Sequence, residues 1–349
     1  MSVLGRLRRF SRRYGAHLVG AVLVVVSLAF IPTGYYVVSP GDVRPLSLSV
    51  TVEGAPSTRD GEFFLVTVAT RKTNALLHVI GLLDRSSRLR PVREVIPPGQ
   101  DEREYFEESR RMMRESQETA KVVALRRMGF DAGLSGSGVK IVNLLPASSA
   151  ASILAPGDII VAIDGKQALL ADELVHEMRQ YKPGDVVSLE VLRGGERLTL
   201  RTPTGRHPED PERAALGIQI ETFNWRAVVP VDVSIDTGGI SGPSGGLMLS
   251  LEIIRQLNGD ASLLRGARVA GTGTIAPNGG VGPVGGVTQK VIAAERAGVK
   301  VFLAPRENAE EARKAAGGIE VIPVGSIDDA LDYLIREGGS LKPPEPVVP

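Results

Sequence analysis

The chain has 349 residues, 43% of them hydrophobic, and a formal net charge of +1. This length is sufficient for two domains with separate cores, and the near-neutral charge gives no reason to expect a nucleic-acid partner. The sequence contains no cysteine, which excludes a disulfide framework, a thiolate metal site and a cysteine nucleophile.

The N-terminal residues have the charge pattern of a membrane anchor. Residues 1–15 contain five arginines and no acidic residue, and no Lys, Arg, Asp or Glu occurs between Tyr14 and Gly41. We predict a basic cytoplasmic tail at residues 1–15 and a single transmembrane helix at residues 16–38, which places the rest of the chain outside the cell membrane. The alternative is a cleaved signal peptide, but no convincing small-x-small cleavage site follows the apolar core.

Residues 39–125 are predicted to form an extracytoplasmic region of strands followed by a long helix. Alternating and β-branched residues predict two strands between Pro45 and Ala69, and a charged stretch without Gly or Pro predicts the helix from Gln100 to Met128. The candidates for the buried face of this helix are Phe106, Met113, Val122, Val123 and Leu125. No residue pattern here suggests chemistry, so the region is interpreted as a spacer or packing layer.

Residues 126–205 have the element order of a small β-rich domain. A strand beginning at Val139 is followed by the segment Pro156–Lys166, a helix near Asp172 and a hairpin turned at Gly194. The pattern resembles the PDZ domains of bacterial proteases, and Pro156–Lys166 is the most specific part of the likeness.

The resemblance to PDZ domains implies a peptide-binding groove. Such domains bind an extended peptide by adding it to an open strand edge, and here the groove would lie between the strand at Val139 and the following helix. The residues assigned to the groove are Gly138, Val139, Ile141, Leu174, Val175 and Met178. Ordinary core packing is the alternative role for the apolar members of this set.

Residues 206–340 alternate between predicted strands and helices, which indicates an α/β domain. They include the turn Gly242-Pro243-Ser244-Gly245-Gly246, and the apolar run after it predicts a helix with Ser244 in its first turn. Unpaired backbone N–H groups and the positive end of the helix dipole gather there, which favours a nucleophilic oxygen. All four histidines precede Ser244, which excludes the Ser-Asp-His order of the α/β-hydrolases.

A lysine is the candidate base for this serine. Lys290 follows the turn Gly285-Gly286 and is predicted to lie early in a second helix, among small apolar residues. Burial and the positive end of a helix both disfavour the charged ammonium, so the pKa of Lys290 is expected to lie closer to the working pH than that of an exposed lysine.

At these residues the sequence resembles the proteolytic domain of Lon proteases, from about Ala215 to Ile335. The resemblance rests on the motif around Ser244 and on Pro283-Val284-Gly285-Gly286 with Lys290 four residues later. It implies that Ser244 is the nucleophile and Lys290 the general base. The residues assigned to support of the turns and the oxyanion are Gly242, Pro243, Gly245, Gly285 and Gly286. Lon proteases commonly carry Asp three residues before the serine, where this chain has Ser241, so the gating of the resting site is left open.

Together with the PDZ-like region and the predicted anchor, the chain resembles the bacterial membrane-anchored PDZ-Lon peptidases. The implied fold is α/β (α+β), with a Lon-type proteolytic domain preceded by a PDZ-like β-rich domain and a single N-terminal transmembrane helix. The sequence contains neither a Gly-x4-Gly-Lys-Ser/Thr nor a His-Glu-x-x-His motif, so we expect no nucleotide, metal or other cofactor. Residues 341–349, rich in proline, are predicted to be disordered.

The predicted function is an ATP-independent serine endopeptidase that uses a Ser-Lys dyad to cleave extracytoplasmic peptides or proteins at the membrane surface. The PDZ-like region would bind substrate or regulate access, and a homo-oligomer is left open. Two alternatives come from other classes. One is a non-catalytic, membrane-tethered peptide-binding scaffold, and the other is a small-molecule kinase, since glycine-rich turns before helices also bind phosphate.

Overall fold

The computed structural model describes residues 17, 19–20, 22–56, 61–97, 100–145, 148–208 and 210–343. The chain folds into two compact units. The first unit combines Met1–Gly129 with Val231–Pro349, and the second unit is Phe130–Pro230. The chain therefore leaves the first unit after Gly129 and returns to it at Val231.

The N-terminal part of the first unit supplies half of a sheet and a long helix. Its elements are β1 (Pro32–Pro45), β2 (Val50–Val52), β3 (Glu62–Asn74), α1 (Ala75–Leu83), β4 (Arg88–Pro91), α2 (Val92–Val95) and α3 (Glu102–Arg127). Strand β1 pairs antiparallel with both β3 and β4. Helix α3 begins with a capping box, in which the side chains of Asp101 and Glu104 each accept a hydrogen bond from the other residue's backbone N–H.

The second unit is an antiparallel β domain with one helix. Its elements are β5 (Gly133–Ser135), β6 (Val139–Leu144), β7 (Ile159–Ile163), β8 (Lys166–Gln167), α4 (Ala171–Met178), β9 (Val186–Arg193), β10 (Glu196–Pro203), β11 (Gly205–Arg206), β12 (Ala214–Ala215), β13 (Ile218–Thr222) and β14 (Arg226–Val228). The main sheet has the order β10-β9-β7-β6-β13. The core between this sheet and α4 includes Ile141, Ile160, Leu174 and Leu189.

An ion pair between a buried carboxylate and a partly exposed arginine stabilises the second unit at the segment Pro156–Lys166. Asp158 is 1% exposed and accepts hydrogen bonds of 2.7 Å from Nε and Nη2 of Arg193. The Arg193 guanidinium holds the pKa of the Asp158 carboxyl below its usual range. The bidentate contact joins the loop before β7 to the end of β9.

The returning chain completes the first unit. Its elements are β15 (Val233–Ile235), α5 (Gly246–Leu257), β16 (Arg268–Gly271), β17 (Thr274–Ile275), β18 (Val281–Gly282), α6 (Val287–Arg296), β19 (Val301–Pro305), α7 (Ala309–Ala315), β20 (Glu320–Val324) and α8 (Ile327–Arg336). Strand β16 pairs parallel with β3 on one side and with β19 on the other, which gives a sheet of order β20-β19-β16-β3-β1-β4. Parallel strands are buried on both faces, which explains the apolar runs of β16 and β19.

Helix α5, which follows the serine turn, is almost completely buried. Every residue from Gly246 to Arg255 is buried, including the ion pair between Glu252 and Arg255, whose side chains are 0% and 3% exposed and 2.6 Å apart. Gln256 also donates to Glu252 and to the carbonyl of Val50 in β2. These charges are hydrogen-bonded on α5 itself, which makes their burial tolerable.

Residues 39–125 form part of the first unit, so of the two predicted roles the structure shows a packing layer and not a separate spacer. Strand β3 pairs with β16, with Phe63 opposite Val269, and β2 pairs with β15, with Val52 opposite Val233. The predicted strand from Leu46 to Val52 is a 3-10 turn at Leu46–Leu48 followed by the short β2. The sequence left these two roles open because strand partners about 200 residues apart leave no local signal in either segment.

The N-terminal segment also differs from the prediction. Residues 22–29 are helical, but residues 32–38, which were assigned to the membrane helix, belong to β1. Tyr36 is 2% exposed and its hydroxyl donates to Glu102 of α3 at 2.8 Å. Consecutive aromatic and β-branched residues favour the strand here.

No helix within the described ranges combines the length and the apolar character needed to cross a membrane. The predicted cytoplasmic tail at residues 1–15 lies outside the described residues, and so do residues 344–349 of the tail predicted to be disordered.

The predicted boundary at residue 205 lies inside the second unit. Strand β13, which lies within residues 206–340 assigned to the Lon-type domain, instead pairs with β6, and β14 pairs with β5. The return to the first unit comes at Val231, about 25 residues later than predicted. An isolated apolar strand does not show in its own sequence which sheet it will join, so this assignment required the structure.

Candidate active site

Ser244 lies in a 3-10 turn, Pro243–Gly245, that leads directly into α5. The prediction that the serine lies at the start of a helix is confirmed. Gly242 has φ of 85°, a conformation that favours glycine. A Cβ at Gly246 would lie 2.5 Å from Ile275 Cγ2 and 2.7 Å from Ser116 Oγ, so this position requires a glycine for close packing.

Lys290 of α6 reaches this serine across the interior of the first unit. Its Nζ atom lies 2.7 Å from Ser244 Oγ and 2.9 Å from Thr272 Oγ1. The residue is 3% exposed, and burial lowers the pKa of the Lys290 ammonium from 10.5 to about 7. The structure therefore brings together the two residues that the sequence singled out, and a large neutral fraction of the lysine exists near pH 7.

Thr272 is the third polar residue of this cluster, and sequence analysis missed it. Its hydroxyl donates to the carbonyl oxygen of Ser244 at 3.0 Å, while the N–H of Gly273 donates to the same oxygen at 2.9 Å. The one hydroxyl hydrogen of Thr272 is thereby used, so this oxygen accepts from Lys290. When Lys290 is neutral, that bond uses an N–H and leaves the nitrogen lone pair for Ser244.

Helix α3 fixes the serine turn from the other side. The carbonyl of Ser109 accepts from the N–H of Gly242 at 2.8 Å, and the hydroxyl of Ser116 donates to the carbonyl of Pro243 at 3.0 Å. Gln117 donates to the hydroxyl of Thr237 at 3.0 Å. Sequence analysis missed these residues because α3 has the charge pattern of an ordinary amphipathic helix and precedes the turn by more than a hundred residues.

The glycines and the proline assigned to turn support are near the serine, but they differ in their backbone N–H groups and in the space around them. The N–H of Gly242 is donated to Ser109, and Pro243 has no N–H, so neither supplies a free donor. Gly286 has φ of 68° and precedes α6, and a Cβ there would lie 2.9 Å from Val68 Cγ1. Gly245 is buried against Leu65, whereas Gly285 has open space around it.

Ser244 and Lys290 open into a cleft of about 550 Å³. The walls come from β1, β3, β4, α2, α3, the loop from Gly238 to Gly242 and the start of α6. Ser241 lines the cleft and is exposed, so a hydroxyl stands where a carboxylate is common in the family that the sequence resembles. Within the described residues, no group of three or more His, Cys, Asp or Glu side chains could hold a metal ion.

Comparison with known families finds a match over the segment that contains both residues. Residues 212–337 match the model of the Lon protease C-terminal proteolytic domain. Residues 125–204 match the model of the PDZ domain. The chain carries a Lon-type proteolytic domain and a PDZ domain.

Several curated proteins are similar to the Lon-type domain. An archaeal Lon protease of Archaeoglobus fulgidus is 33% identical over 147 residues, which cover 39% of this chain and 23% of that protein. A Lon protease of Chloroflexus aggregans is 31% identical over 166 residues, which cover 42% of this chain and 19% of that protein. The chain thus spans less than a quarter of the length of these relatives.

One solved structure is similar to part of this chain. The PDZ domain of an SdrC-like protein from Listeria monocytogenes is 22% identical, with a TM-score of 0.23, and the match covers 24% of this chain and 87% of that domain.

The predicted peptide-binding edge in the PDZ domain is closed. Strand β6 pairs with β7 on one side, with Val139 opposite Ile160, and with β13 on the other, with Val139 opposite Thr222. Val139 and Ile141 are 0% exposed and belong to the core, and Gly138 receives a hydrogen bond from the N–H of Phe223. The assignment of Gly138, Val139 and Ile141 to a groove was therefore wrong, because β13 occupies the edge that was expected to be open.

The helix side of the predicted groove does line a cavity. Leu174, Val175 and Met178 of α4 face a space of about 380 Å³, which is closed on the other side by Leu216, Ile218 and Ile220. Strand β13 is the last strand of its sheet, so its outer edge is open among the described residues. Arg179 and Arg213 also line this space. This cavity, hereafter the groove, thus lies between α4 and β13, one strand further out than the groove predicted from the sequence.

Proposed function

We propose that this chain is a serine endopeptidase in which Ser244 is the nucleophile and Lys290 the general base. The observation that carries the proposal is the separation of 2.7 Å between Lys290 Nζ and Ser244 Oγ, combined with a lysine pKa of about 7. A general base must lie within hydrogen-bond reach of the proton that it removes and must have a pKa near the working pH. Lys290 meets both conditions.

In the proposed reaction, the lone pair of neutral Lys290 accepts the Oγ proton as Oγ bonds to the peptide carbonyl carbon. The N–H of Ser244, at the positive end of α5, is the backbone donor that we assign to the oxyanion. Lys290 then gives its proton to the leaving amine as the C–N bond breaks, which leaves an acyl ester on Ser244. Water attacks this ester, passes a proton to Lys290 and releases the acid, and the serine regains its proton.

The proposal predicts that the full chain cleaves peptides and that Ser244→Ala does not. We expect defined fragments when the native chain is incubated with a synthetic peptide mixture and the products are identified by mass spectrometry. Ser244 is half-buried and its side chain hydrogen-bonds to Lys290, so the alanine variant is expected to stay folded, with circular dichroism as the control. Equal fragment patterns from both proteins would assign the cleavage to a contaminant and overturn the proposal.

In the proposed function, the PDZ domain binds the substrate. Its apolar groove beside an open strand edge has the features that bind an extended peptide by strand addition. We also propose that cleavage requires no nucleotide, since the residues assigned to each chemical step lie within this chain. The same peptide digestion with and without added ATP tests this point, and a strict requirement for ATP would contradict it.

The location at the outer face of a membrane is proposed from the sequence alone. Five arginines before a charge-free segment favour a cytoplasmic N-terminus and an external Lon-type domain. In intact spheroplasts of a host bacterium that express the full chain, we expect added proteinase K to digest the Lon-type domain. Digestion only after the membrane is permeabilised would place the domain inside and contradict this part of the proposal.

A further inference from the structure

Two arginines of β4 face the active-site cleft. Arg88 and Arg90 are two residues apart on a strand, so their side chains project from the same face of the sheet. Leu89 between them faces the other way, toward α1, where a Cβ at Gly81 would lie 3.1 Å from its Cδ2 atom. Both arginines line the cleft that contains Ser244.

These arginines differ from the other cations near the cleft. Arg44 also lines it, but it is paired with Asp42 at 3.1 Å. Arg88 and Arg90 have no hydrogen bond or ion pair from their side chains within the described part of the chain. Arg88 is exposed and Arg90 half-buried, so both guanidinium groups are available to a molecule in the cleft.

The carboxylates near this face do not neutralise the two arginines. Glu94 of α2 is the acidic residue that lines the cleft, and no ion pair joins it to either arginine within the described residues. Glu102, on the neighbouring helix, binds Lys72 and the hydroxyl of Tyr36. Two unpaired guanidinium groups with fixed planar donors are suited to bind a carboxylate.

We propose that Arg88 and Arg90 form a subsite for a carboxylate of the substrate peptide, from an acidic side chain or from the peptide's own C-terminus. The inference rests on the proposed peptidase function and adds to it a preference for peptides that carry a carboxylate at one position. The turn that carries Ser244 packs on β3, where a Cβ at Gly245 would lie 3.0 Å from Leu65 Cδ1, and β4 is separated from β3 by β1, or about 10 Å at the usual strand spacing. The carboxylate therefore lies a few residues from the bond that is cut and leaves the residues beside Ser244 free to vary.

The test measures which peptides the native chain cleaves from a mixture in which each position varies. One arm uses peptides with amidated C-termini, in which only side chains carry carboxylates, and a second arm uses free C-termini without Asp or Glu. We expect peptides with a carboxylate at one defined distance from the cut to react about fivefold faster, the effect of a solvent-exposed charge pair. High salt should reduce this preference.

Charge reversal assigns the preference to the subsite. Arg88→Glu and Arg90→Glu each leave the pair without net charge and are each expected to abolish the preference for a carboxylate, the double variant is expected to favour Lys or Arg at the same position, and Arg90→Gln is the milder variant. Arg85→Glu is the matched control, because Arg85 is exposed on the turn between α1 and β4 but does not line the cleft. This control should retain the native preference.

The outcomes separate the subsite from the proposed reaction. Cleavage by the native chain without a carboxylate preference, or a preference that survives both reversals, overturns the subsite and leaves the peptidase function in place. A fluorescence anisotropy assay with the full-length Ser244→Ala protein compares two labelled peptides that differ only in Glu or Gln at the preferred position, and it measures the subsite without catalysis. Retained binding of the Glu peptide beside absent cleavage by the native chain would support the subsite and contradict the peptidase proposal.

Discussion

Lys290→Arg is expected to abolish peptide cleavage by this chain. The guanidinium stays protonated near neutral pH, so it cannot accept the proton of Ser244. Because the serine and its base act as one unit, we expect a loss on the order of a thousandfold or more, equal to that of Ser244→Ala, with no further loss in the double variant. The rate of cleavage of one peptide found by mass spectrometry measures the effect.

Two further variants guard against loss of the fold. Arginine in a buried site retains a charge there, which is costly, so Lys290→Met provides an apolar side chain of similar length without a base. Lys300→Arg, at an exposed position of the same unit, is the matched control and should retain native activity. Substantial cleavage by folded Lys290→Met would show that Lys290 is not the general base.

The pH dependence of cleavage should report the same lysine. The pKa of Lys290 is lowered to about 7 by burial, and the neutral form is the active one. The value of kcat/KM should therefore rise about tenfold per pH unit below this pKa and level off above it. A rate that falls with rising pH between 6 and 8, as for an acid that must stay protonated, would contradict the assignment.

The free energy of unfolding should also rise with pH because of the same lysine. Between about pH 7 and 10.5 the unfolded chain binds a proton at Lys290 that the folded chain does not, so the free energy of unfolding rises with pH in this window. Below the folded pKa both states are protonated and the contribution is constant. Lys290→Met has no ammonium group to bury, so it lacks this pH dependence. It should also have a larger free energy of unfolding than the native chain near pH 7, by a few kcal/mol at most.

Val175→Asp is expected to weaken peptide binding by the PDZ domain by at least about tenfold. Val175 lines the groove between α4 and β13 and is 38% exposed, so the substitution puts a carboxylate among the apolar side chains that would contact the peptide, where it repels the peptide's C-terminal carboxylate and pairs with Arg179 one helical turn away. Binding of peptides with free C-termini to the full chain carrying Ser244→Ala, measured by fluorescence anisotropy, gives the change in affinity directly.

The control for Val175→Asp also tests whether the peptide binds beside β13 or beside β6. Val142 of β6 is 45% exposed and does not line the groove, so Val142→Asp introduces the same charge and leaves the groove unchanged. We expect native affinity for this variant. Loss of binding with Val142→Asp and not with Val175→Asp would return the peptide site to β6, against the pairing that the structure shows.

The local parts of the candidate site could be predicted from the sequence. The turn at Ser244 requires glycines on both sides, and the apolar run after it dictates a buried helix, so the position of the nucleophile follows from neighbouring residues. The burial of Lys290 follows in the same way from the small apolar residues of its own helix. Turns and helices depend on residues within a few positions of each other, which is why these predictions agree with the structure.

Only the tertiary structure decided which distant segments complete the site and which strand borders the peptide groove. Thr272 contacts Lys290 because β16 ends beside α6, and Ser116 contacts the serine turn because α3 packs on it from more than a hundred residues away. Likewise, β13 covers β6 although its sequence equally suits a strand of the other unit. Strand pairing and helix packing depend on partners remote in sequence, so local patterns predicted the elements and the fold determined their neighbours.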